Sequence, residues 1–411
     1  RENRHRGFLQ TRRPAVKALS LFILSAVPVF AQDGISLGAE NSPFRLDLRP
    51  SVEAVVWSGD TPAPALIDST DHTFLSPRFS LATDAAAGEH WFLHATTRWD
   101  NGFDPTNNGA GELRLDEAFV RWRVGDDQRL NFQIGKFPSA FGAWSAQHDF
   151  FDDPFLLAPL PYSQIIGVNT RSPAANTPAS ISARAGGSAA AVSTLAKENW
   201  ASILWGPGYA SGASVFGNTE HLDYALEIKN TALSAHPDSW TDLDFSAPTI
   251  TGRLGYRPDA AWAVGASASR GPWMEDDASG LLPPGADRED FTQNTLGLDV
   301  RWARHNVIVS GEVVLSEFET PAAGDLRTAS WFVQTRWKVS PGVWLAGRFG
   351  RISANDADDV TWQPDVWRAE IGGGWRVSPN ILVKAGYSFT RTADDSDAGE
   401  HLLGTGIGWR F

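Results

Sequence analysis

From Trp331 to Val339 the chain alternates. Trp331, Val333, Thr335, Trp337 and Val339 fall on one face, and Phe332, Gln334, Arg336 and Lys338 on the other. Residues 366–377 repeat this, with Trp367, Ala369, Ile371, Gly373, Trp375 and Val377 opposite Arg368, Glu370 and Arg376. A period of two predicts strands with one apolar and one polar face. The chain ends on the same alternation. Leu403, Thr405, Ile407, Trp409 and Phe411 share one face, and Gly404, Gly406, Gly408 and Arg410 share the other.

Trp337-Lys-Val-Ser-Pro-Gly342 and Trp375-Arg-Val-Ser-Pro-Asn380 are versions of one tight turn, and Gly255-Tyr-Arg-Pro-Asp259 is a looser relative. Pro presets φ in each, and Gly, Asn or Asp follows it. Between these turns lie longer acidic connections rich in Gly and Pro, at 271–290, 318–327, 353–365 and 391–401. Short turns alternating with long loops predict an all-β fold, an antiparallel up-and-down transmembrane barrel. Eighteen candidate strands fit between residues 44 and 411, including 165–171 and 179–186. The stretch 172–208 is ambiguous, so 16 strands with a long loop there is the alternative. Either count leaves a lumen wide enough for water.

Composition fits one large β architecture, with 18 Trp, 23 Phe and 38 Gly but 1 Met in 411 residues. There is no Cys, which removes disulfides and thiol chemistry. Residues 1–31 read as a cleavable secretory signal: a basic start, an apolar stretch from Ala18 to Val27, then Val29-Phe30-Ala31 before Gln32. Residues 32–411 form a single barrel domain on this reading. Removing six basic residues and Glu2 with the signal would take the formal charge from −13 to −18. So acidic a chain argues against nucleic acid as a partner.

The charge on the predicted lumen face has the opposite sign. Its candidate pore-lining residues are Arg98, Arg121, Arg123, Arg301, Arg336, Lys338, Arg348, Arg368, Arg376 and Lys384, with Glu117, Glu312 and Glu370 among them. The acid collects in the loops, as in Glu275-Asp-Asp277 and Asp394-Asp-Ser-Asp397. A basic wall enriches anions in a confined channel. Residues 138–164 follow the fifth predicted strand as an aromatic, Pro-rich connection. An apolar loop needs something to pack on, so it is expected to fold into the lumen as a constriction. Phe141, Trp144, Asp149, Phe150, Phe151, Asp152 and Asp153 would be its working residues.

Asp116-Glu-Ala-Phe-Val-Arg-Trp122, followed by Gln133-Ile-Gly-Lys-Phe-Pro-Ser-Ala-Phe-Gly142, resembles the phosphate-selective (O/P-type) porins over roughly residues 113–142. That resemblance implies a 16-stranded, often trimeric barrel for passive diffusion of small solutes, in some members with a basic, phosphate-selecting constriction. Members that bind phosphate tightly use Arg and Lys on the constriction loop, and this chain has neither between Pro138 and Gln164. It also implies the outer membrane of a Gram-negative bacterium, with lipid and lipopolysaccharide as neighbours. Phe411 would be the terminal aromatic read by the barrel-assembly machinery.

Two other function classes compete with a channel. A barrel hydrolase needs a nucleophile, a His and an orienting group at one height. His94 points inward on the predicted alternation but has no assignable partner, and no HExxH or GxSxG motif occurs. The second class is a loop-mediated binding or adhesion barrel. The acidic loops lack calcium-loop spacing, so neither a metal nor another cofactor is expected.

Overall fold

The computed structural model describes residues 34–411, except 38–43, 61–65, 68–70, 102–110, 126–127, 186–198, 276–277, 279–280, 322, 358–359 and 394–398. Sixteen antiparallel strands close on themselves: β1 (Phe44–Gly59), β2 (Thr73–Ala87), β3 (Trp91–Asp100), β4 (Glu112–Arg123), β5 (Asn131–Phe137), β6 (Ala210–Asn218), β7 (Leu222–Lys229), β8 (Thr249–Tyr256), β9 (Trp262–Pro272), β10 (Thr292–Arg304), β11 (Val307–Thr320), β12 (Gly324–Ser340), β13 (Val343–Ala354), β14 (Val366–Arg376), β15 (Ile381–Thr392) and β16 (Glu400–Arg410). β16 pairs with β1 from Ser51↔Arg410 to Gly59↔Leu402, so no edge is left open. A three-residue strand, Ile35–Leu37, pairs with the part of β1 that overhangs β16. No helix among the described residues is long and apolar enough to cross a membrane.

The wall therefore has 16 strands, not 18. Residues 165–169 do form a strand, but it pairs with 200–202 in a separate two-stranded sheet. Residues 178–185 form a helix. Short apolar runs carry too little periodicity to separate these outcomes. The connection expected at 318–327 is strand instead. β11 and β12 run on through an acidic stretch, one face of it buried, to a turn between Thr320 and Gly324, held by the Arg327 ion pairs to Glu317 and Asp325 at 2.5 and 3.0 Å. The two-residue turn at 305–306 needs positive φ at its first position, which His305 supplies at 53°.

Alternation sorts the faces. Ile134, Leu298 and Ile371 point outward, each about two-thirds exposed. Rings form rows near both rims of this apolar face. One row runs through Trp91, Trp122 and Phe132, and another through Trp331, Phe349, Trp367 and Phe389, with neighbouring centroids 5.3–6.1 Å apart. From Trp367 to Trp375 is eight residues, ~26 Å along the strand and roughly 20 Å of height at the usual tilt, most of an apolar membrane band. The inner face is not uniformly polar. Val314, Phe318, Phe332 and Ile352 point inward and are buried against Leu160, Ile166, Val168 and Leu204. The connection from 138 to 209 thus fills one side of the lumen with its own apolar core.

Candidate functional site: the constricted lumen

The segment 138–164 enters the lumen from the end of β5 and crosses to the far wall. Gly142, with φ of 70°, turns the chain beneath Glu312 of β11. The Glu312 carboxylate accepts the backbone N–H groups of Ala143 and Trp144 at 2.8 and 2.7 Å and the hydroxyl of Tyr162. Further along, buried wall cations take the segment's carbonyls. Lys384 donates to Asp153 O and Phe155 O at 3.0 and 2.8 Å, and Arg348 to Leu157 O at 2.5 Å. Arg368 reaches Ser163 Oγ at 3.1 Å, and Arg376 reaches Phe151 O at 3.2 Å. Glu370 pairs with Arg348 at 2.6 and 2.8 Å and aims it.

Glycines on the inner face make room for the rings. Phe141 sits over Gly297, and Phe155 over Gly372. The tip rests on the closing strand, with Leu156 against Gly404 and Gly406, Phe150 against Gly406 and Gly408, and Phe151 against Gly408. Phe150 and Phe151 are buried, whereas Asp149 and Asp152 are exposed. Asp153 is buried and accepts Trp144 Nε1–H at 2.9 Å. Burial raises its pKa despite the nearby Arg348 and Lys384. Burial lowers the pKa of His148, whose Nδ1 faces Ser145 O at 2.7 Å and whose Nε2 faces the Tyr209 hydroxyl. That pairing suits a neutral ring that donates from Nδ1 and accepts at Nε2.

Because the segment leans on β10–β16, the open gap lies against β1–β3. A cavity of about 230 Å³ there is lined by Arg78, Arg98, Asp100, Asp149 and Lys384 among others. Its charged wall residues belong to a ladder of alternating charge that continues onto β4. Arg78 bridges Glu53 and Asp100 at 3.2 and 3.3 Å, and Arg114 bridges Asp100 and Asp116 at 2.9 and 3.2 Å. Arg98 pairs with Asp116. Strict alternation misses Arg114 and Asp116, because the strand carries a bulge. Thr96 lies opposite Glu117 and Thr97 opposite Leu115, which leaves Asp116 as the extra residue. The shift brings Arg114, Asp116, Glu117 and Phe119 to one side.

The remaining candidates separate into two groups. Glu117, Arg121 and Arg123 line a second cavity, of about 670 Å³, on the short-turn side of the segment. Arg301, Arg336 and Lys338 stand near the same rim on β10 and β12, and among the described residues their side chains have no ion-pair or hydrogen-bond partner. Arg301 and Arg376 are like charges close enough to act on Arg336, with Asp152 and Asp153 opposing them.

The wall also gives His94 the partners that sequence left unassigned. Its Nδ1 faces Asp84 Oδ1 at 2.6 Å and its Nε2 faces Thr96 Oγ1 at 2.9 Å. This has the order of a relay, but His94, Thr96 and Asp84 lie in laddered strands. Their backbone N–H groups are used in pairing rather than turned toward a developing oxyanion.

No family model and no curated protein matches the sequence. Solved structures do match the fold. OmpF of Salmonella typhi, in complex with daunomycin, aligns over 92% of this chain and 100% of its own, with a TM-score of 0.58 at 11% identity. The anion-selective porin of Comamonas acidovorans aligns over 90% and 100%, at 0.56 and 10%. OmpT, an outer-membrane protein of Vibrio cholerae in trimer form, aligns over 90% and 99%, at 0.54 and 11%. The fold is that of a porin barrel. The likeness does not single out the phosphate-selective porins, so that finer resemblance rests on the motif residues alone.

Proposed function

We propose that the chain is a porin, a water-filled channel for passive diffusion of small hydrophilic solutes, in the outer membrane of a Gram-negative bacterium. The observation that carries this is the segment 138–164. It crosses the lumen of an apolar-coated barrel, is pinned by buried wall charges, and leaves a charge-lined gap on one side. An adhesion barrel would have no use for a shaped gap at its centre. The secretory signal at 1–31, which lies outside the described residues, would bring the chain to that membrane, and Phe411 would be its assembly mark. Three copies around one axis, bordered by lipopolysaccharide, are the expected state.

The preferred solutes are anions. Paired charges present little field, and the gap's ladder is nearly self-neutralised. The unpaired Arg301, Arg336 and Lys338 at the rim are what would enrich anions. Phosphate belongs among the candidates on the strength of the motif, selected by that field rather than by a tight site.

Refolded protein in a planar bilayer should give discrete conductance steps and an anion-signed reversal potential in a KCl gradient. The absence of steps would overturn the channel reading. A hydrolase reading has one observation in its favour, the Asp84–His94–Thr96 chain. Ester turnover lost in Thr96→Ala would establish it in place of the channel.

A further inference from the structure

The cavity on the short-turn side of the inward segment differs in chemistry from the rest of the lumen. It runs from the β2–β3 turn up to Pro138 and Ala140. Three half-buried or buried rings face it, where a channel wall in water should be polar. They surround one cation. The Arg121 guanidinium lies 5.6 Å from the Phe92 centroid, 5.2 Å from Phe119 and 4.9 Å from Phe216. Gln133 fixes it further, its Oε1 accepting from Arg121 Nε and Nη2 at 3.1 and 2.8 Å. Arg121 is therefore held in one pose before any ligand arrives, and Nη1 carries no hydrogen bond among the described residues. Two residues along the same face, Arg123 gives Nη2 to Glu89 O. Its Nε, and Nδ1 of the adjacent His90, are buried without a hydrogen-bond partner. This corner of the wall thus combines unmatched polar groups with rings that line the cavity around the guanidinium.

We propose that the cavity is a binding subsite for a small aromatic carboxylate, with its ring among Phe92, Phe119 and Phe216 and its carboxylate on Arg121 and Arg123. Each half of the ligand answers one half of the site. Rings gain from offset contact with rings beyond simple burial, and a guanidinium gives a carboxylate charge-assisted bonds in a fixed fork. Fixing Arg121 in advance removes the ordering cost that weakens most surface arginines. Glu89, Glu117, Asp223, Glu227 and Arg253 also line the cavity; Asp223 and Glu227 are paired with Arg257 and Lys229 and Arg253 with Asp299, while Glu117 acts on Arg121 electrostatically. Its carboxylate disfavours polyanions, so a monoanion with a ring suits the site better than inorganic phosphate.

The inference rests on the channel reading, because a ligand would enter through the lumen, and the test separates the two. Benzoate is added at millimolar concentration to the compartment facing the short turns while single-channel current is recorded. It should interrupt the current in a saturable way. Acetate, with the charge alone, and benzyl alcohol, with the ring alone, should not. Arg121→Gln and Phe216→Ala should each weaken the benzoate effect roughly tenfold, about the loss of one such contact. Arg123→Gln is a second charge variant should Arg121→Gln fail to show the heat-modifiable gel mobility of a folded barrel. The subsite is refuted if benzoate and acetate act alike, or if folded charge variants are blocked as strongly as the parent. A protein that gives no current at all would bring down the channel reading instead. Calorimetric titration of the detergent-solubilised protein with benzoate then still decides the subsite.

Discussion

The hydroxyl of Tyr162 donates to Oε2 of Glu312, while Oε1 of the same carboxylate takes the N–H groups of Ala143 and Trp144. One wall side chain thus clasps the inward segment where it enters the lumen and again where it turns back. Buried acceptors of this kind matter chiefly through what their loss leaves behind. Glu312→Ala would strand two N–H groups and a hydroxyl, at about 1–3 kcal/mol for each group left unsatisfied. The segment should then detach from β11. Single-channel conductance should rise, and swelling of proteoliposomes should admit larger sugars than the parent does. Glu312→Gln, which keeps one acceptor oxygen, should fall between the two. Unchanged conductance in both variants would mean that Lys384, Arg348 and Arg368 hold the segment without Glu312.

The tip of the segment makes a separate prediction, because it docks on glycines rather than on charges. A Cβ at Gly408 would come within 2.6 Å of Phe150 Cε1 and 3.0 Å of Phe151 Cζ. Overfilling a packed site of this kind costs about 1–3 kcal/mol. Gly408→Val should therefore lift the tip off β16 and expose residues 148–153 to proteolytic nicking. The outer face of β16 is untouched, so the barrel's heat-modifiable gel mobility should persist. If nicking is no faster than in the parent, the rings have another place to go.

That glycine seat was half visible in the sequence. The terminal alternation places Gly404, Gly406 and Gly408 inward, and the structure agrees, but nothing in a run of glycines says what they leave room for. The aromatic character of 138–164 says that it must be covered, though not by what. Legibility was best where both faces were strict, as in 331–339 and 366–377, since lipid outside and water or protein inside enforce a period of two. It failed at three places with separate causes. In β4 the bulge at Asp116 reversed the phase and hid Arg114. Between β11 and β12, acidic residues outside the apolar band looked like loop, though strands can run on into water. Within 165–186 the chain packs against itself rather than against lipid, so its pattern reports a local core. Alternation sets Arg348, Arg368 and Lys384 opposite the apolar face. That Arg348, Arg368 and Lys384 spend donors on carbonyls and a hydroxyl of the inward segment depends on contacts about 200 residues apart in sequence.

Acid should loosen one specific connection, residues 230–248 between β7 and β8. It closes the upper edge of β4, which β5 is too short to pair, through Leu115 N–H to Ser239 O at 2.7 Å and Lys136 Nζ to Trp240 O at 2.7 Å. His236 in this connection packs 5.1 Å from the Trp205 ring. Burial lowers its pKa to about 4, and Arg114, Arg171 and Lys136 push it the same way. The open connection binds a proton below an ordinary histidine pKa near 6.5, while the closed one stays neutral down to about 4. Closure is therefore strongest above pH ~6.5 and weakens as pH falls toward 4, by on the order of 3 kcal/mol at the limit. The hydrogen-exchange protection factor at Leu115, which already allows for slower intrinsic exchange in acid, should fall from pH 7 to pH 4.5, and His236→Gln should flatten that dependence. An equal dependence in the variant would assign the titration to another group.

Selectivity should answer to the unpaired cations at the rim rather than to the charge ladder in the gap. Arg78, Arg98 and Arg114 each lie against carboxylates, so an ion passing them meets dipoles more than net charge. Among the described residues Arg336 and Lys338 have no such partner. Replacing both with Glu changes the local charge by four units. At ~10 Å through water, screened over about one Debye length in 0.1 M salt, that amounts to roughly 0.6 kcal/mol at the channel axis. Each ion sign should then change in local concentration by about threefold, in opposite senses, which moves the reversal potential in a KCl gradient toward the cation side. The shift should grow at lower salt as screening weakens. Arg78→Gln makes the discriminating comparison. It frees Glu53 and part of Asp100, so a larger shift from this single change than from the double rim variant would place the selecting field in the gap. The present geometry predicts the reverse order.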